Sequence, residues 1–367
     1  MMIGAVQLGL LAACVVLFVP MGMAGWHLSR NKMLFFSCAL FITLAVGVHL
    51  MPYFPSIPSF LSPSDVIPPP ATIYSDACVS FLHSVVYREC SDSIDEDSHE
   101  SGCKSWDWIR SDQVKECEFQ KLKNSDASDL LNGSWVVVAG DSQARLIVVS
   151  LLELVMGSEY IDSIRGDLFK RHSDYSVIVN KIGMKLDFVW APYVGNLTKF
   201  VSSLKQNNFP DVLVMGAALW DMLHVNNATE YRNSLRVLRN NLLPFLPVSS
   251  NSDGGNGGGG VSEFKSARSL HLFWIGMPTL ITSMLNTAEK REKMSEAMCS
   301  FYDDELYRSK LLRQSGGPLL KLDIRLLSDL CGPHCTADGM HYNAAVYDAA
   351  VHIILNALLI ESNQKPH

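Results

Sequence analysis

The sequence lacks any cluster of basic residues and any paired cysteine motif. Its 367 residues include 30 Lys and Arg against 37 Asp and Glu, a formal net charge of −7. No basic patch with interleaved aromatics occurs, which disfavours nucleic acid as a partner. The nine cysteines are scattered without a Cys-x-x-Cys pair, so we expect no metal site of the zinc type. Internal repeats, which would indicate a solenoid, are also absent.

Basic residues are scarcest at the N-terminus. Before Arg88 only Arg30 and Lys32 occur, and they separate two apolar runs at residues 3–24 and 34–51. Each run approaches the length of about 20 residues that spans a bilayer. Because short basic loops stay on the cytoplasmic side, we expect two transmembrane helices that leave the rest of the chain in the lumen.

Two other interpretations of this membrane anchor, residues 1–51, stay open. The first apolar run could be a signal peptide cleaved near Ala24, although it lacks the basic start that such a signal needs. The second run would then still anchor the chain with the same orientation. Alternatively, both runs could be buried core helices, which the basic loop between them disfavours.

A lumenal location permits disulfide bonds. Seven cysteines follow the apolar runs. Because seven is odd, we expect at least one thiol to stay free or to pair between chains, and the sequence leaves the pairing open. Asn-x-Ser/Thr sequons at Asn132, Asn196 and Asn227 are candidate glycosylation sites. They agree with a location in the secretory pathway.

Composition divides the rest of the chain. Residues 52–70 are rich in Pro and Ser and predict an extended stalk. Residues 71–131 fit no simple pattern and predict a smaller cysteine-containing lobe. Residues 132–362 alternate strand-like and helix-like runs, which favours an α/β domain with a mainly parallel sheet flanked by helices. A Gly-rich stretch at 249–260 predicts a flexible insertion within that domain.

The predicted strands of this domain are apolar on both faces, as strands between two helix layers should be. They lie at Trp135–Ala139, Tyr175–Val179, Leu186–Trp190, Val212–Met215 and Leu270–Ile275. The predicted helices lie at Gln143–Met156, Leu197–Gln206, Thr229–Leu243, Ala288–Leu312 and Ala344–Ile360.

Gly140-Asp141-Ser142 stands where the first of these strands ends and a helix begins. In open α/β sheets, ligands bind beyond the carboxyl ends of strands, and the N–H groups of a helix start favour negative charge. Gly140 permits a tight turn. The tripeptide can therefore present Ser142 as an acyl-transfer nucleophile beside an oxyanion hole. The simpler interpretation is that Asp141 or Ser142 only caps the helix.

A serine nucleophile needs a base, and the base needs an orienting partner. Asp338-Gly-Met-His341 precedes the last helical pattern, and an i, i+3 pair in a loop can converge on one point. His341 could then take the serine proton while Asp338 fixes its tautomer. A turn with a hydrogen-bonded histidine is the non-catalytic alternative. Asp221-Met-Leu-His224 is a competing pair, but an early helix turn would leave its side chains less free to converge.

The combination of Gly-Asp-Ser after a strand and Asp-x-x-His before the last helix resembles the SGNH, or GDSL-like, esterase superfamily. Further landmarks occur in order at Trp106-Asp-Trp108, Cys117-Glu-Phe119, Gly140-Asp-Ser-Gln-Ala-Arg145 and Phe188-Val-Trp-Ala-Pro192. This set is similar to the plant trichome-birefringence-like branch of PC-esterases, whose members are Golgi polysaccharide O-acetyltransferases. The resemblance implies an SGNH-like fold, a Golgi membrane location and a lumenal catalytic domain.

The resemblance also implies roles for individual residues. Ser142 would be the nucleophile, His341 the base and Asp338 its orienting partner. Arg145 matches the arginine of the Gly-Asp-Ser-x-x-Arg form of the motif. One helical turn into the helix, it could approach the site and bind substrate, or it could instead form a surface ion pair.

The chain departs from the superfamily at the oxyanion hole. SGNH enzymes complete that hole with a glycine and an asparagine, but the corresponding strand end reads Met215-Gly-Ala-Ala-Leu-Trp220, without asparagine. Gly216 and the Ser142 N–H would then serve, with Gly195 as a weaker candidate.

Three functions stay open at this point. The first is O-acetyl transfer to hemicelluloses such as xyloglucan and xylan through an acetyl-serine intermediate, directly or as a relay. It needs an acetyl donor as cosubstrate and no bound cofactor, and its partners would be a membrane protein that supplies acetyl groups and other acetyltransferases. The second is an acetylesterase with the same triad. The third is a non-catalytic Golgi scaffold, which the missing asparagine keeps open.

Overall fold

The residues described in the computed structural model are 77–89, 104–204, 209–246 and 270–362. All of them fall within one compact unit, Pro69–His367. The expected membrane anchor (1–51), stalk (52–70) and Gly-rich insertion (249–260) lie outside the described residues.

A six-stranded sheet forms the centre of the described residues. The strands in chain order are β1 (Val85–Glu89), β2 (Lys104–Trp108), β3 (Trp135–Gly140), β4 (Tyr175–Val179), β5 (Met184–Trp190), β6 (Val212–Gly216), β7 (His271–Ile275) and β8 (Leu320–Leu322). The sheet order is β4-β5-β3-β6-β7-β8, and β1 pairs only with β2. Every pairing in the larger sheet is parallel except that of β4 with β5. The predicted mainly parallel α/β sheet is therefore confirmed.

Helices cover both faces of this sheet. They are α1 (Asp112–Glu116), α2 (Asn124–Leu130), α3 (Ser142–Met156), α4 (Ser158–Leu168), α5 (Val194–Ser203), α6 (Ala228–Leu242), α7 (Ala288–Lys293), α8 (Glu296–Arg308), α9 (Ile324–Cys331) and α10 (Ala344–Ser362). One apolar core joins the sheet to α3, α4, α9 and α10. A second core joins the opposite face to α5, α6 and α8.

The apolar character of β3 follows from its two-sided burial. Val136 and Val138 lie in the first core, whereas Val137 and Ala139 lie in the second. Successive side chains of a strand point to opposite faces, so a central strand between two helix layers needs apolar residues at every position. This strand delivers Gly140 to the carboxyl edge of the sheet.

The long apolar helix α10 belongs to the core. Among the described residues it alone is long and apolar enough to cross a membrane, but 67% of its apolar window is buried inside the structure. It packs against α3 in the first core. Its start, at Ala344, lies three residues beyond His341.

The Trp and Cys residues noted in the sequence make contacts that hold the β1–β2 segment in place. The Trp106 indole donates to the Asp348 carboxylate at 2.6 Å, and the buried Trp108 indole donates to the Leu82 carbonyl at 3.1 Å. A disulfide joins Cys78 to Cys117. The β1–β2 hairpin is therefore held against the helix that follows the Asp-x-x-His motif.

Close packing around Gly140 leaves no room for a side chain at this position. A methyl group there would lie 2.5 Å from the Gly216 carbonyl oxygen and 2.9 Å from the Ala144 Cβ. We expect Gly140→Ala to lower the free energy of unfolding by about 1–3 kcal/mol, measured by denaturant titration. Gly166 on α4 is the control, because an added methyl there would meet open space. Gly166→Ala should stabilise by about 0.5–1 kcal/mol, and equal effects at both sites would contradict the packing argument.

Candidate active site

Ser142 is the first residue of α3, and Asp141 before it is the helix cap. The Asp141 backbone is extended, and its carboxylate accepts from the Gln143 amide at 2.9 Å. Burial raises the pKa of Asp141 to about 6, against the opposing effects of the Gln143 amide and the His341 charge. The capping role therefore falls to Asp141, which leaves the Ser142 hydroxyl for another partner.

That partner is His341. The Ser142 Oγ lies 2.7 Å from the His341 Nε2, and the His341 Nδ1 lies 2.6 Å from the Asp338 Oδ2. All three side chains are half-buried, so a substrate can still reach the hydroxyl. The structure thus brings together the three residues named from the sequence, which are 199 and 3 positions apart along the chain.

The environment of Asp338 decides the tautomer of the histidine. Partial burial opposes ionisation of Asp338, but hydrogen bonds from the His341 amide, the His341 ring and the Met340 amide outweigh it and lower its pKa. An ionised carboxylate can only accept hydrogen bonds. The His341 Nδ1 must therefore carry the proton, and Nε2 is left to accept the Ser142 hydroxyl proton.

The loop that carries Asp338 and His341 is held by side chains that the sequence did not single out. The Gln143 amide donates to the Met340 carbonyl at 3.0 Å and accepts from the buried Tyr347 hydroxyl at 2.7 Å. Thr336 donates to the His341 carbonyl at 2.7 Å. These bonds connect the loop to α3 and α10, so the serine and the histidine are positioned by the same framework.

The competing pair, Asp221 and His224, makes no such arrangement. Asp221 is buried and accepts from the Val194 amide at 3.2 Å, while the exposed His224 ring packs against Trp220 and Tyr193. The two side chains are directed to different neighbours. The structure therefore places His341, and not His224, on Ser142.

Asp221 gives a prediction about stability and pH. Burial and the charges of Glu230 and Asp141 raise its pKa from 3.8 to about 6, although the Val194 amide opposes the shift. The unfolded chain releases this proton at lower pH than the folded chain, so native stability falls as pH rises from about 4 to 6. We expect Asp221→Asn to raise the free energy of unfolding by about 2 kcal/mol at pH 7. The gain should vanish at pH 4.

Urea titrations at pH 4 and pH 7 check this prediction. The same substitution at Asp304, which is exposed on α8, should change stability by less than about 0.5 kcal/mol at either pH. A gain for Asp221→Asn that is equal at the two pH values would show that it does not come from the buried charge.

Arg145 lies one turn into α3, where its charge interacts with that of Asp141. Its side chain is buried, only 7% exposed, and its guanidinium lies 5.0 Å from the ring centroids of both Phe188 and Trp190. It donates to the Lys170 carbonyl at 3.3 Å, and burial lowers its pKa. The expected surface ion pair needs correction, because the guanidinium is buried against aromatic rings. The expected role of Arg145 in substrate binding stays a prediction. Arg145 supports Trp190 from within the protein.

The two candidate oxyanion glycines differ in position. Gly216 ends β6 directly opposite Gly140, and it helps to line a pocket of about 10 Å³ behind Asp141. Neither Ser142 nor His341 lines that pocket, whose size suits one water molecule. Gly195 is exposed on the first turn of α5. The Ser142 N–H lies at the start of α3, where helix amides have no intrahelical acceptor.

The described residues include five of the seven cysteines that follow the apolar runs, and all three sequon asparagines. Cys331 and Cys335 form a second disulfide just before the Asp338 loop, while Cys299 is free and buried. Cys90 and Cys103 lie outside the described residues. Asn132 and Asn227 are exposed and Asn196 is half-buried.

A set of aromatic rings at the carboxyl edge of the sheet was missed by the sequence analysis. We define the aromatic cluster as His172, Trp190, Tyr193 and Trp220. Their ring centroids lie 4.9 Å apart for His172 and Trp190, 5.7 Å for the two tryptophans and 5.8 Å for Tyr193 and Trp220. Trp190 was noted only as a landmark of the resemblance. The cluster itself has no sequence signal, because its members come from segments that are far apart along the chain.

Comparison with known proteins gives a relative over nearly the whole chain. The sequence is 54% identical over 378 residues to Protein ALTERED XYLOGLUCAN 9 from Arabidopsis thaliana, covering 99% of this chain and 100% of that protein. Among solved structures, the chain is similar to LAE5, an α/β hydrolase enzyme from the metagenome of Lake Arreo, Spain. That match has a TM-score of 0.36 and 16% identity, and it covers 62% of this chain and 96% of that one. No family model matches the chain.

Proposed function

Because this chain belongs to the Altered Xyloglucan 9 family, we propose that it is an O-acetyltransferase of plant cell-wall hemicelluloses such as xyloglucan and xylan. The observation that carries the proposal is the hydrogen-bonded chain of Ser142, His341 and Asp338 at the carboxyl edge of the sheet. The name of the relative supports a role that affects xyloglucan.

The first half-reaction transfers the acetyl group to Ser142. As the Ser142 Oγ attacks the acetyl carbonyl carbon, its proton passes to the His341 Nε2. The Asp338 carboxylate stabilises the imidazolium that forms. The tetrahedral intermediate then collapses, the bond to the donor breaks, and the leaving group departs with the proton from His341. The product is an acetyl ester on Ser142.

The second half-reaction passes the acetyl group to a sugar hydroxyl. The hydroxyl gives its proton to the His341 Nε2 as its oxygen attacks the ester carbonyl. The Ser142 Oγ leaves and recovers the proton. The first-turn N–H of Ser142 is our candidate for stabilising the oxyanion in both half-reactions, with Gly216 as a second donor. The acetyl donor is a cosubstrate, supplied directly or relayed through a membrane partner.

We place this reaction in the Golgi lumen. The disulfide between Cys78 and Cys117 supports an oxidising compartment, and the exposed sequons at Asn132 and Asn227 support glycosylation there. Partners in this compartment would be the polysaccharide acceptor, an acetyl-supplying membrane protein and other acetyltransferases.

The test is a two-stage experiment on the purified full-length chain. Intact mass after exposure to a small acetyl ester, followed by peptide mapping, should show one acetyl group on Ser142. Addition of an unacetylated xyloglucan or xylan oligosaccharide should then discharge the ester and yield acetylated sugar. Release of free acetate without acetylated sugar would show that the protein is an acetylesterase and not a transferase. Absence of any adduct or turnover would favour a non-catalytic scaffold.

A further inference from the structure

We infer that the aromatic cluster of His172, Trp190, Tyr193 and Trp220 is the acceptor-binding surface, on which neutral pyranose rings of a polysaccharide stack. The inference deepens the proposed function and rests on it, since it names where and how the acceptor binds. It goes beyond the triad, because none of these four residues takes part in the proton transfers.

The cluster occupies the sheet edge that presents Ser142. Trp190 ends β5 directly opposite Gly140 of β3. Trp220 follows β6, whose last residue, Gly216, lies opposite Gly140 on the other side. Neighbouring strands are about 4.8 Å apart, so the two tryptophans flank the strand that leads into Ser142. Their rings contact each other with centroids 5.7 Å apart.

The loops that carry the cluster are held together by buried polar contacts. The Asp221 carboxylate, directly after Trp220, accepts from the Val194 amide, directly after Tyr193, at 3.2 Å. The buried Tyr231 hydroxyl donates to the Ala217 carbonyl in the Trp220 loop at 2.9 Å. Such contacts reduce the conformational entropy that a ligand must overcome when it binds.

Trp190 is supported from inside, where the buried Arg145 guanidinium lies 5.0 Å from its ring centroid. His172 stacks on the same ring at 4.9 Å with an interplanar angle of 20°. His172 adopts a left-handed backbone with φ 54°, which is unfavourable for a residue with a Cβ. The exposed His172 is thus kept against Trp190 at some conformational cost, as is common at ligand sites.

The chemistry of the cluster suits a neutral sugar. Trp190, Tyr193 and Trp220 are only half-buried, and exposed apolar surface of this kind marks ligand grooves. Indole and phenol rings combine a large apolar face with a polar edge. A β-linked pyranose offers the complement, since its ring faces are C–H surfaces and its rim carries hydroxyls. The net charge of −7 disfavours a polyanionic ligand.

Calorimetric titration tests the inference on the full-length chain with Ser142→Ala, in which no turnover removes the ligand. The probes are an unacetylated xyloglucan oligosaccharide and a xylan oligosaccharide. We expect at least one to bind, and Trp220→Ala in this background to raise its Kd by about tenfold or more. Phe301→Ala is the matched control, because Phe301 is an aromatic residue 60% exposed on α8 outside the cluster. It should leave the Kd within about twofold.

Trp220→Phe separates loss of the aromatic ring from misfolding. Because phenylalanine retains an aromatic face, this variant should recover most of the affinity and unfold at the normal temperature. Binding that is insensitive to Trp220→Ala, or no binding of either oligosaccharide, would overturn the inference. The proposed acetyl-transfer activity is tested separately, by intact mass of the protein with native Ser142. If that proposal is wrong, no acetyl adduct will be found on Ser142. Trp220-dependent binding without that adduct would support the acceptor surface and reject the transferase.

Discussion

Ser142→Ala is expected to lower the rate of acetyl transfer, and of small-ester hydrolysis, by about three orders of magnitude or more. Its hydroxyl is the group that contacts the His341 Nε2, at 2.7 Å, and alanine leaves no nucleophile there. The fold should persist, because the cap of α3 comes from the Asp141 carboxylate and alanine favours helix. Steady-state kinetics, intact mass and thermal unfolding of the full-length chain measure these effects.

Ser150→Ala is the matched control. Ser150 is a buried serine on the same helix and contacts no member of the triad, so activity should be retained. A Ser142→Ala protein that expresses normally and restores full wall acetylation in plants lacking the native gene would contradict the proposed chemistry. That result would instead favour the scaffold.

The sheet strands that the sequence identified are those with strong local signals. The central strands β3 and β6 are apolar on both faces, and each extends one residue beyond its predicted end to include a glycine, Gly140 and Gly216. The edge strand Tyr175–Val179 was placed at its observed bounds. Two-sided burial leaves a continuous apolar run, which can be recognised without knowledge of the neighbours.

The helices α4 and α9 were not predicted, and two other differences from the prediction have local causes. The strand β8 spans only Leu320–Leu322, which is too short for a periodic pattern. The single helix predicted at Ala288–Leu312 is in fact two, α7 and α8, because the Ser295 side chain accepts from the Met298 amide and starts a new helix. The predicted pattern followed helical periodicity and overlooked this cap.

At the site, spacing alone left two Asp-x-x-His pairs open, and it was mainly the resemblance to the GDSL-like esterases that named Ser142, Asp338 and His341 as one group. The spacing could not reveal that Gln143 bridges the Met340 carbonyl and the Tyr347 hydroxyl, since those contacts connect positions about 200 residues apart. The same limit applies to the aromatic cluster, whose members come from separate segments of the chain. Arg145 shows a further limit, because its position one turn after Ser142 did not reveal that its guanidinium packs against Phe188 and Trp190.

His341→Ala is the second substitution with a large expected effect, a loss of about 10⁴-fold or more in small-ester turnover. It removes the group that accepts the Ser142 proton and leaves Asp338 without its ring partner. His224→Ala should retain most of this turnover, because the His224 ring packs on Trp220 and makes no hydrogen bond to Asp221. Both variants are compared by steady-state hydrolysis of the same ester.

Added imidazole separates loss of a base from loss of structure. It should restore part of the activity of His341→Ala, because a diffusible base can enter the space left by the ring and accept the Ser142 proton. It should not restore the Ser142→Ala protein, which has no nucleophile to activate. Loss of activity in His224→Ala with retention in His341→Ala would assign the base to the other Asp-x-x-His pair. The 2.7 Å contact between Ser142 and His341 makes the first pattern the expected one.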